Sequence, residues 1–180
     1  SYHFAFLMDG QQRNICGYAG RKQQNQPYVF SLGTFVIDAF GKRFIRLPGP
    51  SNYSWKFDSH MYYHKRAEGQ NTIIANPGEG PDQNPDADAI IERFETHGDE
   101  GFGILDMTKT NNAFASAKRG IKLTDDRSRV VLQDEIVLNR ESELWWFAHT
   151  DGDIQVSEDK KSAIITMGGD RMFAHITHCS

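Results

Sequence analysis

Apolar and polar positions along this chain alternate with a period of two, the signature of strands that bury one face. Residues 33–39 (Gly-Thr-Phe-Val-Ile-Asp-Ala) form a β-rich run that meets a turn at Phe40-Gly41-Lys42. Residues 43–47 then alternate polar and apolar, which predicts a hairpin. Pro48-Gly49-Pro50 ends it. Residues 71–75 predict another short strand, closed by Asn76-Pro77-Gly78 and a loop running to about Ala87.

The second half is more regular. Residues 89–95 pair with 101–107 across Gly98-Asp99-Glu100. Residues 118–123 lead through Asp125-Asp126-Arg127 to 129–132, and that strand continues through 134–138. Further strands are expected at 143–149, 154–156, 162–167 and 171–176, with turns at 151–153, 158–160 and 168–170. Only 111–118 is open to a helical turn. Turn signals at such short intervals are the mark of a sandwich or barrel. The expectation is therefore an all-β, multi-stranded antiparallel β-sandwich with few or no helices, one domain over residues 1–180.

Composition narrows the partners. Of 180 residues, 38% are hydrophobic and 12% aromatic, which excludes a disordered chain. A net charge of -4 argues against a nucleic-acid footprint. No apolar run is long enough to span a bilayer, so no membrane partner is expected, and no leader pattern is visible. Cys16 and Cys179 read either as two small buried apolar residues or, in a secreted chain, as a pair. Two cysteines are too few for a disulfide scaffold or a cysteine-based zinc site.

Local motifs for catalysis are sparse. Gly168-Gly169 lacks the lysine of a phosphate loop and reads as a hairpin turn. His60 and His64 are four apart, but in a segment expected to be extended or irregular. His175 and His178 are three apart on a strand and so face opposite sides. The stretch densest in function-like residues is Tyr53-Ser54-Trp55 followed by residues 62–72. It combines aromatic rings, cations, a carboxylate and amides. Aromatic faces stack on sugar rings and an arginine fork grips carboxylate or sulfate, so the mixture suits an acidic sugar chain. A plain loop with aromatic anchors explains the same composition.

Six segments in order carry a resemblance: residues 33–44, 62–74, Asp82-Gln83, 119–123, 133–135 and 143–150. Together they resemble the heparinase II/III-like polysaccharide lyases. The run Tyr62-Tyr63-His64-Lys65-Arg66-Ala67-Glu68-Gly69-Gln70-Asn71-Thr72 is similar to the family's "YYRxRxEGHNTL". The resemblance implies a β-sandwich that follows an α/α-toroid, so the chain is expected to be part of a larger protein with that toroid lying N-terminal to it. The family includes alginate and oligo-alginate lyases. Its members cleave uronic-acid polysaccharides by β-elimination, which needs a base and neutralisation of the adjacent carboxylate.

The resemblance also implies losses. The family's β-domain histidine, in an "HxHLDxG" stretch, falls on Pro27, the second histidine on Val29 and the aspartate on Ser31. The positions with which some members hold zinc read Val29, Leu47 and Gln70. Zinc needs three or four N, S or O donors together, so no catalytic residue, metal or cofactor is expected, and whether the whole protein is an enzyme stays open. Tyr53, Tyr63, Arg66, Glu68 and Asn71 keep their family places, with His64 standing where arginine is usual; with Gln70 these are the candidates for a substrate groove. His149 reads as a core or inter-sheet histidine, and Trp145 and Trp146 as pointing to opposite faces of one strand. The expected function is a module, non-catalytic alone, that supports or binds an acidic polysaccharide of the heparin, heparan sulfate or alginate kind, in the periplasm or outside the cell. Two readings stand beside it: a fragment of an active lyase completed by the toroid, and a purely structural or interaction domain.

Overall fold

The strands come from β-branched and aromatic runs cut by turns whose residues tolerate unusual backbone. The structure, a computed structural model, describes residues 30–48, 63–79 and 82–177 with their side chains, and the backbone of 2–8, 13–17 and 178–179. The strands are β1 (Tyr2–Met8), β2 (Arg13–Gly17), β3 (Phe35–Ala39), β4 (Lys42–Ile45), β5 (Ile73–Ala75), β6 (Ile90–His97) and β7 (Glu100–Asp106). They continue with β8 (Phe114–Thr124), β9 (Arg129–Leu138), β10 (Leu144–Trp146), β11 (Asp153–Val156), β12 (Ser162–Met167) and β13 (Asp170–Cys179). No helix among the described residues is long and apolar enough to cross a membrane.

Eight strands make one antiparallel sheet in the order β11-β12-β13-β1-β9-β8-β7-β6. A three-stranded sheet, β2-β3-β4, packs on its middle, and β5 pairs with β10 beside it. The core between the two larger sheets gathers Phe35, Ile37, Phe44 and Ile45 with Val130, Leu132, Ile165 and Met172. Each of these side chains stabilises the fold by about 1.5–3 kcal/mol relative to exposure. A second cluster, Ile73, Ala75, Met107, Phe114 and Ala117, sits under β5 and β10, with Trp146 touching both clusters.

The expected all-β sandwich is what the chain forms. The hairpin at 33–47 is present, turning at Phe40 and Gly41, both with positive φ. The β6–β7, β8–β9 and β12–β13 hairpins also stand where the turn signals put them. Residues 111–118 are a correction. Helical propensity in Ala113-Phe114-Ala115-Ser116-Ala117 is overridden by the long β8–β9 ladder, which buries Phe114 and Ala117. The helical turn lies just earlier, at Thr108–Thr110, where the Thr110 hydroxyl donates to the Met107 carbonyl. Strands β1 and β2 were not expected from the sequence. Cys16 and Cys179 lie on β2 and β13, and their side chains are outside the described residues.

One polar group crosses the core. Arg119 and Asp134, opposite each other on β8 and β9, are both 0% exposed. Arg119 donates from Nε and Nη2 to the two carboxylate oxygens of Asp134, each at 2.7 Å. Its Nη1 donates to the carbonyls of Gly33 and Asn71, and the guanidinium lies 5.7 Å from the Phe35 ring. Four charge-assisted hydrogen bonds offset the desolvation of the pair.

Candidate functional site

The segment 63–72 is two short 3-10 turns, Tyr63–Lys65 and Ala67–Gly69, leading into β5. This local fold was not legible as a strand or helix, and it rests on three anchors. Gly69 is required by close approach: a Cβ there would stand 2.1 Å from the Tyr63 carbonyl oxygen. Arg66 donates to both oxygens of buried Asp82, at 3.1 and 3.0 Å, and to Glu68 at 2.6 Å. Asp82 also accepts from the Ala67 N–H at 3.1 Å. Gln83 beside it pairs through its amide with both backbone groups of Leu32, as a strand would.

Asn71 is the pivot. It is 0% exposed, and its Nδ2 donates to the carbonyls of Phe35 at 2.7 Å and Arg46 at 3.0 Å. Both amide hydrogens are thereby committed, so Oδ1 is the acceptor. It receives the backbone N–H of His149 at 2.8 Å and contacts ring Nδ1 at 3.0 Å. The proton of the imidazole is therefore on Nδ1, and Nε2 accepts from the hydroxyl of Tyr63 at 2.7 Å. A line of side chains thus runs from Asp134 through Arg119, the backbone carbonyl and amide of Asn71, and His149 to Tyr63, which is 51% exposed.

Electrostatics follow from this placement. Burial pushes the His149 pKa down and keeps the ring neutral. Burial and the nearby Glu68 carboxylate push the Tyr63 phenol up, so it stays a hydrogen-bond donor. The unfolded chain takes up the imidazole proton near pH 6.5 and the folded chain only below that. Stability should therefore fall as pH drops from 6.5 through the folded midpoint. An NMR titration of the His149 ring should give a midpoint below 6.5. His149→Gln should remove its share of the acid sensitivity, and a midpoint at or above the ordinary value would contradict the burial argument.

Residues 145, 147 and 149 share one face of the chain leaving β10, and their rings form a row. Trp145 stacks on Phe147 at 6.0 Å, Phe147 on His149 at 6.5 Å, and Tyr63 meets His149 edge-on at 5.7 Å. Trp145 is half-exposed, while Trp146 packs into the core, as the alternation requires. The structure therefore brings Tyr63 to the edge of His149, with Glu68 near its phenol, Arg66 bonded to Glu68, and His64 following Tyr63 on the same 3-10 turn. It turns Gln70 and Asn71 inward, at 3% and 0% exposure, where they act as supports. Gln70 donates from Nε2 to the His64 carbonyl. Tyr53 lies outside the described residues. His149 and Phe147 complete the edge; the period-two aromatic spacing 145, 147, 149 was the signal for them. Of the positions implied for zinc, Val29 lies outside the described residues. Gln70 offers only a neutral amide oxygen, Leu47 has no donor atom, and no group of three His, Cys, Asp or Glu among the described residues could hold an ion.

Solved structures share this fold. A heparinase III matches with a TM-score of 0.69 at 14% identity, over 90% of this chain and 30% of that one. The heparan sulfate lyase HepC from Pedobacter heparinus matches with a TM-score of 0.68 at 12% identity, again over 90% and 30%. A mutant of the same lyase gives 0.62 at 11% identity, over 83% and 28%. No family description matches the sequence, and no curated protein does. The chain spans about a third of the length of these lyases, and at such identities the likeness is one of fold.

Proposed function

We propose that this chain is the β-sandwich module of a polysaccharide lyase of the heparan sulfate lyase kind, and that it holds an acidic polysaccharide on the edge built by Tyr63, His149, Phe147 and Trp145. The observation that carries the reading is the half-exposed Tyr63. Its hydroxyl is fixed by His149 and its ring is offered at the end of an aromatic row. A sugar ring meets aromatic carbon there, while Lys65 and Arg66 lie on the same segment for its acidic groups. The fold shared with a heparinase III and a heparan sulfate lyase supports the substrate class. In this reading the module acts with a further domain, and its work lies outside the cytoplasm where such polymers occur.

The purified chain is expected to bind heparan sulfate or heparin in preference to alginate and chondroitin in equilibrium titrations at low salt. Tyr63→Ala and Trp145→Ala should each weaken binding by about tenfold, near 1.4 kcal/mol. A structural or interaction domain is the competing reading, favoured by the neutralisation of Arg66 between Asp82 and Glu68. Absence of binding to every polymer, or binding indifferent to both substitutions, would decide for it.

A further inference from the structure

Strand β6 ends the eight-stranded sheet, with β7 on one side and no strand on the other among the described residues. The register sorts its side chains. Ile91 lies opposite Leu105, which leads across the sheet to buried Arg119 and Asp134. Phe94 lies opposite Gly103, which leads to Ile121 and buried Leu132. Thr96 lies opposite Gly101. These three therefore occupy the core face. Arg93 and Glu95, opposite Ile104 and Phe102, occupy the other face, and Glu92, at the bulge between Ile91 and Arg93, reaches Lys118 on that face.

Three large apolar side chains on this strand are open: Ile90 at 56%, Ile91 at 56% and Phe94 at 70%. Edge strands are commonly protected by proline or by a charge on the inward face. Here the inward positions are Ile91, Phe94 and Thr96, and β6 contains no proline. The open cavity beside them, about 310 Å³, is walled by Ile91, Phe94, Leu105 and Ile121 over the bare backbone of Gly101 and Gly103.

We infer that β6 is the contact strand of a two-fold dimer, in which a second copy of this chain adds its own β6 antiparallel and joins the two large sheets into one. The argument is the self-complementarity of the strand. One antiparallel register places Arg93 opposite Glu92 of the copy, Phe94 opposite Ile91, and Thr96 opposite Ala89, each repeated by the two-fold axis. In that register the two bulges lie opposite each other, so core-face residues meet core-face residues along the strand. A slip of one residue sets Glu92 against its own copy or Arg93 against its own copy, and like charges directly opposite are destabilising. The intramolecular ion pairs of these two residues, Lys118 for Glu92 and Glu95 for Arg93, are exposed and contribute little, and Arg93 also lies over the Phe102 ring at 5.0 Å on the same face.

Sedimentation of the purified chain over a concentration series tests this. The wild type is expected to be a dimer at high micromolar concentration. Phe94→Asp should weaken it at least tenfold. Arg93→Glu alone sets two acidic residues against two, and Glu92→Arg alone sets two basic residues against two, so each should be a folded monomer. Mixing those two variants restores both charge pairs and should restore a one-to-one dimer. A wild type that stays monomeric overturns the inference, as does a dimer that survives both single charge changes, or a mixture of the two variants that stays monomeric.

Discussion

Asp134→Ala is expected to lower stability by about 3–5 kcal/mol, because it leaves the Arg119 guanidinium buried without its carboxylate. For a domain of this size that is a fall of roughly 10 °C or more in Tm. The geometry makes the effect large. Both side chains are fully buried and the pair is bidentate, so no water replaces the lost oxygens. The remaining acceptors, the Gly33 and Asn71 carbonyls, hold only Nη1. The double substitution Arg119→Met with Asp134→Leu should be milder than Asp134→Ala, since it removes both charges together. Thermal melts of the three proteins check this. A single variant that melts with the wild type, or a double variant worse than the single, would contradict it.

Asn71→Asp is expected to cost about 2–4 kcal/mol although it changes one atom. The carboxylate would face the Phe35 and Arg46 carbonyls, which now receive N–H donors, and four acceptor oxygens would crowd one buried point. A second readout separates this from simple destabilisation. Tyr63 should lose its fixed pose, because the acceptor that orients His149 is now a charged group favouring the imidazolium. The His149 ring should then titrate upward from its depressed midpoint. An unchanged melt, or a His149 titration that does not move, would show that Asn71 is not the pivot.

Much of the fold was legible because hairpins advertise themselves locally. Gly41, Asp125-Asp126 and Gly168-Gly169 each place residue types that tolerate positive φ between alternating runs. The alternation at Trp145 and Trp146 placed one ring in the core and one outside. What was hidden depends on partners distant in sequence. Residues 111–118 have helical composition, and only the β9 ladder decides against it. At the site, Tyr63, Arg66 and Glu68 could be singled out from their mixture of residue types. That Asn71 is a buried brace could not be read, because its four bonds go to β3, to Arg46 and to His149, up to 78 residues away. Gln70 likewise looks like a ligand-facing amide in sequence and is an internal tie in space.

The line from Asp134 to Tyr63 has an evolutionary consequence. Its first members are needed for folding, and the same contacts set the pose of the last. A lineage that has lost all use for a ligand would still retain Arg119, Asp134 and Asn71 under selection for stability alone. Those residues therefore record ancestry and not occupation. Only at the exposed end, where Tyr63 can be exchanged at little cost to the fold, does drift or constancy across descendants report whether the surface is still in use.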